Sequence, residues 1–508
     1  MPAWHAVGGM AEETELKLRL AQTDVRRLRA ALRRLAGPPR RTHMLSVYYD
    51  TPRLELAARG YALRIRRVGR QWVQSLKGGG GESGGLHRRE EENLPLKQPR
   101  PDPTRHALPG IDPASLTPVF LTDFQRESWQ IAHRDATLEA ALDRGVIRCG
   151  ERELPLLELE LELKAGSSRA LYEVARLLAA ELPLAPEPRS KAERGYALFE
   201  GREESPSRAT VPALSARQSV ESAFAALFER ALEQISRNQP GVLAGHDPEF
   251  LHQMRVGLRR LRALLTLFRK AVPANTWQSW ALSLRTLAAK LGEARDWDVL
   301  ATELLPAFEA SAGIPARHLR RNIDARRRQT QVEVRSIVGG TAYGMLMLEI
   351  GEWLASRGWR RMADASRQSL LDAPLGRVAG EWLEKRRRRL LRLGRKLEWR
   401  DDFERHRLRV QAKKLRYGLE FLGSLFPEAS RQLCLRRLSR LQNRLGELND
   451  LATAVRLVET WAKHSRTSAG SEQAAGFLAW AKRQRRKALA ALPRAWKGFK
   501  RCPPLRPL

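Results

Sequence analysis

The chain has 508 residues, 43% of them apolar, which allows two or more domains with cores of their own. Its formal net charge of +34 far exceeds what folding requires and points to a polyanionic partner. Cys149, Cys434 and Cys502 are too few and scattered for a disulfide framework or a CxxC metal site, and the most apolar stretch, Ile337 to Leu348, is too short and glycine-rich to span a bilayer. The expectation is a cytoplasmic protein with no membrane partner. Met10, just ahead of the first patterned strand, offers an alternative start to Met1.

The charge is uneven. Residues 1–200 carry a net +5 and residues 201–508 the other +29. The N-terminal part opens on Glu13-Thr14-Glu15-Leu16-Lys17, a pattern that returns as Glu158-Leu159-Glu160-Leu161-Glu162-Leu163-Lys164. Side chains two apart in a strand share a face, so each segment shows a row of carboxylates and an ammonium on one surface. Such a row repels itself unless cations neutralise it, and divalent metals are the obvious candidates. A helix is expected over Thr23 to Ala36. Strands follow at Met44 to Tyr49, Tyr61 to Val68, Gln71 to Lys77, His87 to Leu94, Phe124 to His133, Thr137 to Asp143, Gly145 to Cys149 and Leu156 to Lys164. Gly78 to Gly85 reads as a flexible hairpin tip, Asp143-Arg144-Gly145 as a turn or a site segment, and Trp72 and Trp129 as core residues. A second helix is expected over Ser168 to Ala180. Short strands separated by turns suggest an antiparallel barrel. Arg64 with Arg66, and Arg88 with Glu90 and Glu92, repeat the two-residue spacing, so the interior would hold acidic and basic patches matched to a ligand of metal ions and phosphates.

Residues 201–213 form a polar, proline-bearing linker, after which a helical period rich in Leu, Ala and Arg continues nearly to the end. His252-Gln-Met-Arg255-Val-Gly-Leu-Arg259-Arg260-Leu-Arg262 aligns with His406-Arg-Leu-Arg409-Val-Gln-Ala-Lys413-Lys414-Leu-Arg416 at an offset of 154 residues. Leu291-Gly-Glu293-Ala-Arg-Asp296 aligns with Leu445-Gly-Glu447-Leu-Asn-Asp450 at the same offset. Two copies of one helical unit, about 215–335 and 376–490, are implied. His252, Arg255, Arg259 and Arg262 fall on one helical stripe, and His406, Arg409, Lys413 and Arg416 on its counterpart, which pseudosymmetry would join into one positive groove. Glu293, Asp296, Glu447 and Asp450 are expected to pair with some of these cations. The run from Lys385 to Arg389 has no counterpart in the first copy and reads as peripheral.

With Tyr49-Asp50-Thr51, Leu63-Arg64-Ile65-Arg66, Lys77, Arg88-Arg89-Glu90-Glu91-Glu92, Leu142-Asp143-Arg144-Gly145, and Ser190-Lys191 before Arg194-Gly195-Tyr196, the two carboxylate strands make residues 10–200 resemble a CYTH domain. This is the triphosphate tunnel metalloenzyme fold. The resemblance implies metal-assisted triphosphate hydrolysis with Mg²⁺ or Mn²⁺ held by Glu13, Glu15, Asp143, Glu160 and Glu162. Lys17, Arg64, Arg66, Lys77, Arg126 and Lys191 would grip the phosphates, with Lys164 and Arg194 secondary, and Glu158 a ligand or an entrance residue. Inorganic triphosphate is the favoured substrate, with thiamine triphosphate hydrolysis and ATP cyclisation as alternatives in the same tunnel. Residues 214–500 resemble a CHAD domain. This implies inorganic polyphosphate as partner, bound by His252, Arg255, Arg259, Arg260, Arg262, His406, Arg409, Lys413, Lys414 and Arg416, and association with polyphosphate granules. Nucleic acid is expected to bind only nonspecifically, and a granule-binding scaffold without activity is the other alternative. The expected fold is α+β and multidomain, a β-barrel followed by an all-α domain of two pseudo-twofold-related repeats.

Overall fold

A computed structural model describes residues 11–68, 71–83, 85–102, 110–313, 315–395, 399, 401–463 and 468–505. Met10 and Gly84 lie outside them. The chain divides into two compact units, residues 1–206 with 338–358, and residues 207–337 with 359–508.

The first unit runs β1 (Ala11–Arg19), α1 (Val25–Ala36), β2 (Arg40–Asp50), α2 (Glu55–Ala58), β3 (Ala62–Val68), β4 (Gln71–Ser83), β5 (Leu86–Leu96), β6 (Thr117–His133), β7 (Ala136–Cys149), β8 (Arg152–Ala165), α3 (Arg169–Ala179), β9 (Ala185–Pro186) and α4 (Lys191–Phe199). The strands form one antiparallel sheet ordered β5-β4-β3-β2-β6-β7-β8-β1-β9, and a further pairing of β1 with β5 closes eight of them into a ring. Closure removes the free sheet edges.

This barrel inverts the usual arrangement. Its outward-facing Leu16, Leu18, Trp129, Ile131, Leu138, Leu159 and Leu161 make the core with Leu28 and Leu32 of α1 and Leu171, Val174 and Leu178 of α3, while the polar members of the same strands point inward. Helix Thr341–Ala355 completes the covering, with Leu348 fully buried in that core. Glu352 accepts from Arg176 of α3 at 2.9 Å. Gly344 lies so close to Leu184 that an added Cβ would meet its carbonyl oxygen at 1.9 Å.

Three local expectations change. Gly78 to Ser83 belong to β4 rather than to a loop, with a register shift against β5 between Gly78 and Gly81, and Gly85, with φ +89°, lies in the turn. Asp143-Arg144-Gly145 is no turn: β7 pairs continuously through it with both neighbours. Glycine is needed at 145 because a Cβ there would lie 2.1 Å from the Asp123 carbonyl oxygen on β6. Trp129 is core, but Trp72 is half-buried with the Arg67 guanidinium 5.9 Å from its ring.

The second unit contains α5 (Val220–Ala244), α6 (Pro248–Leu267), α7 (Gln278–Val299), α8 (Leu305–Ala312) and α9 (Arg317–Val338). The chain then gives α10, the Thr341–Ala355 helix of the first unit, and returns as α11 (Ala365–Asp372), α12 (Gly376–Arg395), α13 (Asp402–Phe421), α14 (Glu428–Ala462) and α15 (Ser468–Lys500). Asp247 and Asp401 cap α6 and α13 with their side chains, each accepting a backbone N–H from the first turn. One core joins α7, α8 and α9 to α14 and α15 through Trp297, Phe308, Ile323, Leu451, Phe477 and Trp480.

Candidate active site and basic groove

Inward-facing residues of the barrel line one cavity of about 710 Å³. Adjacent strands β1 and β8 supply Glu13, Glu15, Lys17, Glu160, Glu162 and Lys164; β3 supplies Arg64 and Arg66, β4 Lys77, β5 Glu91 and β6 Arg126. Lys191 enters from the first turn of α4, which Ser190 caps by accepting the Glu193 N–H. Lys17 Nζ lies 2.8 Å from Glu160 and 3.1 Å from Glu15. Lys77 bridges Glu13 at 2.5 Å and Glu91 at 2.8 Å, and Arg64 donates to Glu91 at 3.0 Å. Lys191 holds Glu160 at 2.9 Å.

Burial opposes every one of these charges, so the outcome depends on the partners. It pushes the Glu13 carboxyl up to about 7 against the pull of Lys77, with Glu15 and Glu91 adding to the rise. It also raises Glu162, against Lys164. At Glu160 burial loses: Lys17, Lys191 and Arg126 hold the carboxyl well below the usual range. Two carboxylates of the row are thus crowded and under-neutralised, which a divalent cation would relieve. Carboxylate oxygens suit Mg²⁺ or Mn²⁺.

Asp143 is placed differently from these four. It is fully buried, does not line the cavity, and receives Arg126 in bidentate fashion at 2.7 and 2.6 Å and Lys191 at 2.7 Å. Its carboxylate, with those of Glu158 and Glu160, lies in a group whose ligand atoms are within 4.8 Å of one another. Glu158, buried in the same group, takes Lys191 at 2.5 Å and also Arg194. The sequence reading singled out neither Glu91, which holds Arg64 and Lys77, nor Tyr48, whose hydroxyl lies 3.5 Å from Arg64. Glu91 sits at two-residue spacing from Arg89 and Asn93, out of phase with Arg88, Glu90 and Glu92.

In the second unit the two basic stripes meet. Arg255 and Arg259 of α6 and Arg409 and Lys413 of α13 are close enough that, after burial, their mutual repulsion depresses Arg255 and Arg409 and pushes Lys413 down to about 7. Among the described residues, Nη1 of Arg255 and Nε of Arg259 and Arg409 are buried without an acceptor. Gly292 of α7 leaves room for Arg255, whose Nη1 lies 2.6 Å from where a Cβ would stand. His252 is half-buried beside them, while His406 is exposed. Asp296 and Asp450 face these cations, but Glu293 pairs with Lys290 and Glu447 with Arg444 within their own helices. Arg260 and Lys414 leave the groove. Arg260 is buried on Glu420 at 3.2 Å and over the Phe421 ring at 4.9 Å, and Lys414 lines a separate pocket. Arg416 also turns to Glu420, at 2.7 Å, and Arg262 is exposed.

A closed antiparallel barrel with carboxylates and basic side chains turned inward is followed by a repeated helical unit with converging basic stripes. Residues 11–196 match the CYTH domain family and residues 226–459 the CHAD domain family, so the chain belongs to the proteins that join a CYTH domain to a CHAD domain. Over 159 residues it is 38% identical to the inorganic triphosphatase of Haemophilus influenzae (strain ATCC 51907 / DSM 11121 / KW20 / Rd), a match that covers 30% of this chain and 45% of that protein. The chain thus spans less than half the length of that curated relative. The CHAD domain from the plant Ricinus communis, in crystal structure, aligns over its whole length and 60% of this chain, with 29% identity and a TM-score of 0.54. Among the described residues no helix is long and apolar enough to cross a membrane.

Proposed function

We propose that the barrel hydrolyses inorganic triphosphate with a divalent metal and that the helical unit binds inorganic polyphosphate. The observation that carries the first reading is one cavity holding both halves of the required chemistry, Glu13, Glu15, Glu160 and Glu162 for metal and Lys17, Arg64, Arg66, Lys77, Arg126 and Lys191 for phosphate oxygens. A bound Mg²⁺ or Mn²⁺ would neutralise triphosphate charge and favour attack by water. The protein's own part is to bind and orient. Arg64 and Lys77 exchange Glu91 for phosphate oxygens, and Arg126 and Lys191 arrive already aligned by Asp143. No histidine lines the cavity among the described residues, so proton acceptance falls to carboxylates. The 38% identity to an inorganic triphosphatase supports this substrate class.

Phosphate release from inorganic triphosphate, thiamine triphosphate and ATP in Mg²⁺ or Mn²⁺ tests the reading. Release should be metal-dependent, fastest on inorganic triphosphate, and at least roughly 100-fold slower in Glu13→Ala/Glu15→Ala. Absence of release from all three substrates would leave a binding scaffold as the better account.

For the helical unit, the unpartnered guanidinium nitrogens of Arg255, Arg259 and Arg409 support a flexible polyanion as ligand. Long-chain polyphosphate should bind with steep salt dependence, weaken in Arg255→Gln/Arg409→Gln, and displace DNA at equal phosphate concentration. A cytoplasmic protein recruited to polyphosphate granules follows from the same reading.

A further inference from the structure

The run Lys385 to Arg389 is not peripheral. Arg386 and Arg389 on α12, Lys414 and Gln411 on α13, and Arg269 and Lys270 just beyond α6 line a pocket of about 80 Å³, floored by Trp382 and Leu267. On α13 Lys414 is one residue, or about 100° of helix, from groove residue Lys413, and Gln411 is about opposite it. Arg386 is half-buried and anchored by donating to the Trp382 carbonyl at 2.9 Å and the Thr266 carbonyl at 3.0 Å, which leaves it about three of five N–H donors. Among the described residues no carboxylate pairs with Arg269, Lys385, Arg386, Arg389 or Lys414. Only Lys270 has one, Glu381 at 3.1 Å, and that pair is exposed. Burial and mutual repulsion together lower Lys414 and push Arg386 down to about 10, the signature of cations held together without a counter-charge.

We infer that this pocket is a second oxyanion site, separate from the groove and shaped for one tetrahedral phosphate-class group. Its volume suits a single phosphoryl group, with the anchored guanidinium of Arg386 and the neutral amide of Gln411 inside and the exposed cations Arg269, Lys270 and Arg389 at the rim. The groove built by Arg255 and Arg409 has a counterpart in each repeat. This pocket has none, since the positions 154 residues before Lys385, Arg386 and Arg389 are Ala231, Leu232 and Ile235. The site therefore stands whether or not the groove binds polyphosphate. The group could come from free phosphate or from the end of a phosphate chain.

Calorimetric titration of the full chain separates these. In a background whose barrel cavity is disabled by Arg64→Gln/Lys77→Gln, inorganic phosphate, pyrophosphate and long-chain polyphosphate would be titrated into the chain with wild-type groove and rim, the groove variant Arg255→Gln/Arg409→Gln, and the rim variant Arg269→Gln/Arg389→Gln, whose exposed positions leave the fold undisturbed. The groove variant should retain one saturable site for inorganic phosphate or for pyrophosphate, and adding the rim substitutions should weaken it at least tenfold. Rim substitutions that leave that residual binding unchanged, or residual binding that never saturates, would overturn the proposal. Retention of inorganic phosphate alone points to a free-phosphate source; retention of pyrophosphate and polyphosphate alone, to chain ends. Rim substitutions that weaken binding with the groove intact while groove substitutions do not would instead sink the groove reading and keep this one.

Discussion

Lys413 shows most directly how a single side chain couples charge to ligand. Burial, and then Arg409, Arg259 and Arg255, push its pKa down to about 7, so the free protein holds it partly neutral at physiological pH. A polyanion in the groove favours the charged form. Binding between about pH 7 and the ordinary lysine range should therefore take up a proton, seen as a dependence of calorimetric heat on buffer ionisation enthalpy, and Lys413→Arg should abolish the uptake. The sign for stability follows from the same shift. The folded pKa lies below the unfolded one, so the unfolded chain binds more protons across that window and the unliganded unit should gain stability as pH rises through it. A melting temperature that falls over that range would contradict it. Asp143 makes a complementary case. Asp143→Asn keeps its volume but releases Arg126 and Lys191 from a fixed carboxylate, so triphosphate KM should rise, with kcat/KM down roughly 10- to 100-fold as for other orienting partners. Here the sequence was ambiguous for a physical reason: an Asp-Arg-Gly within a strand and one in a turn have the same composition, and only the two neighbouring strands decide. Arg260 and Lys414 were legible, since each lies about 100° from its stripe by helical period. Their grouping with the groove followed adjacency in sequence rather than position around the helix.

At the scale of elements, the alternating strands β1 and β8 could be read because a strand's two faces are written into a two-residue period. Helix α10 could not, because an apolar helical stretch does not say which surface it covers. Its apolar character looked like a question about membranes and is answered by the outer face of the barrel, where Leu348 joins the core. Gly344 is the point of closest approach, and a side chain there has no room beside the Leu184 carbonyl. Gly344→Ala should destabilise the first unit by about 1–3 kcal/mol, although alanine favours an isolated helix by up to ~1 kcal/mol over glycine. Thermal unfolding checks this, and an unchanged or raised melting temperature would show that the helix can move aside at little cost.

For the whole molecule, the boundary in the chain is not the boundary in space. The polar linker over 201–213 matches the first crossing, near Pro206, but the chain comes back to the first unit from Val338 to Gly358 before rejoining the helices. The excursion falls between the two repeats, where the internal alignment leaves a gap, so the repeat marked its position while giving no sign of its destination. A fragment ending at Pro206 therefore lacks one helix of its own unit and exposes the apolar surface around Leu182, Leu184 and Leu178. Relative to the full chain it should unfold at least about 5 °C lower, by a loss of roughly 2 kcal/mol in a unit of this size. Triphosphate hydrolysis should decline with it, because α3, β9 and α4 hold Lys191 and the end of β1. A synthetic peptide of residues 338–358 should restore the melting temperature in a concentration-dependent way, as binding to the folded fragment alone requires. Were the fragment as stable as the full chain and indifferent to the peptide, α10 would be a passenger on the barrel, and any loss of activity on deleting residues 207–508 would have to come from the helical unit.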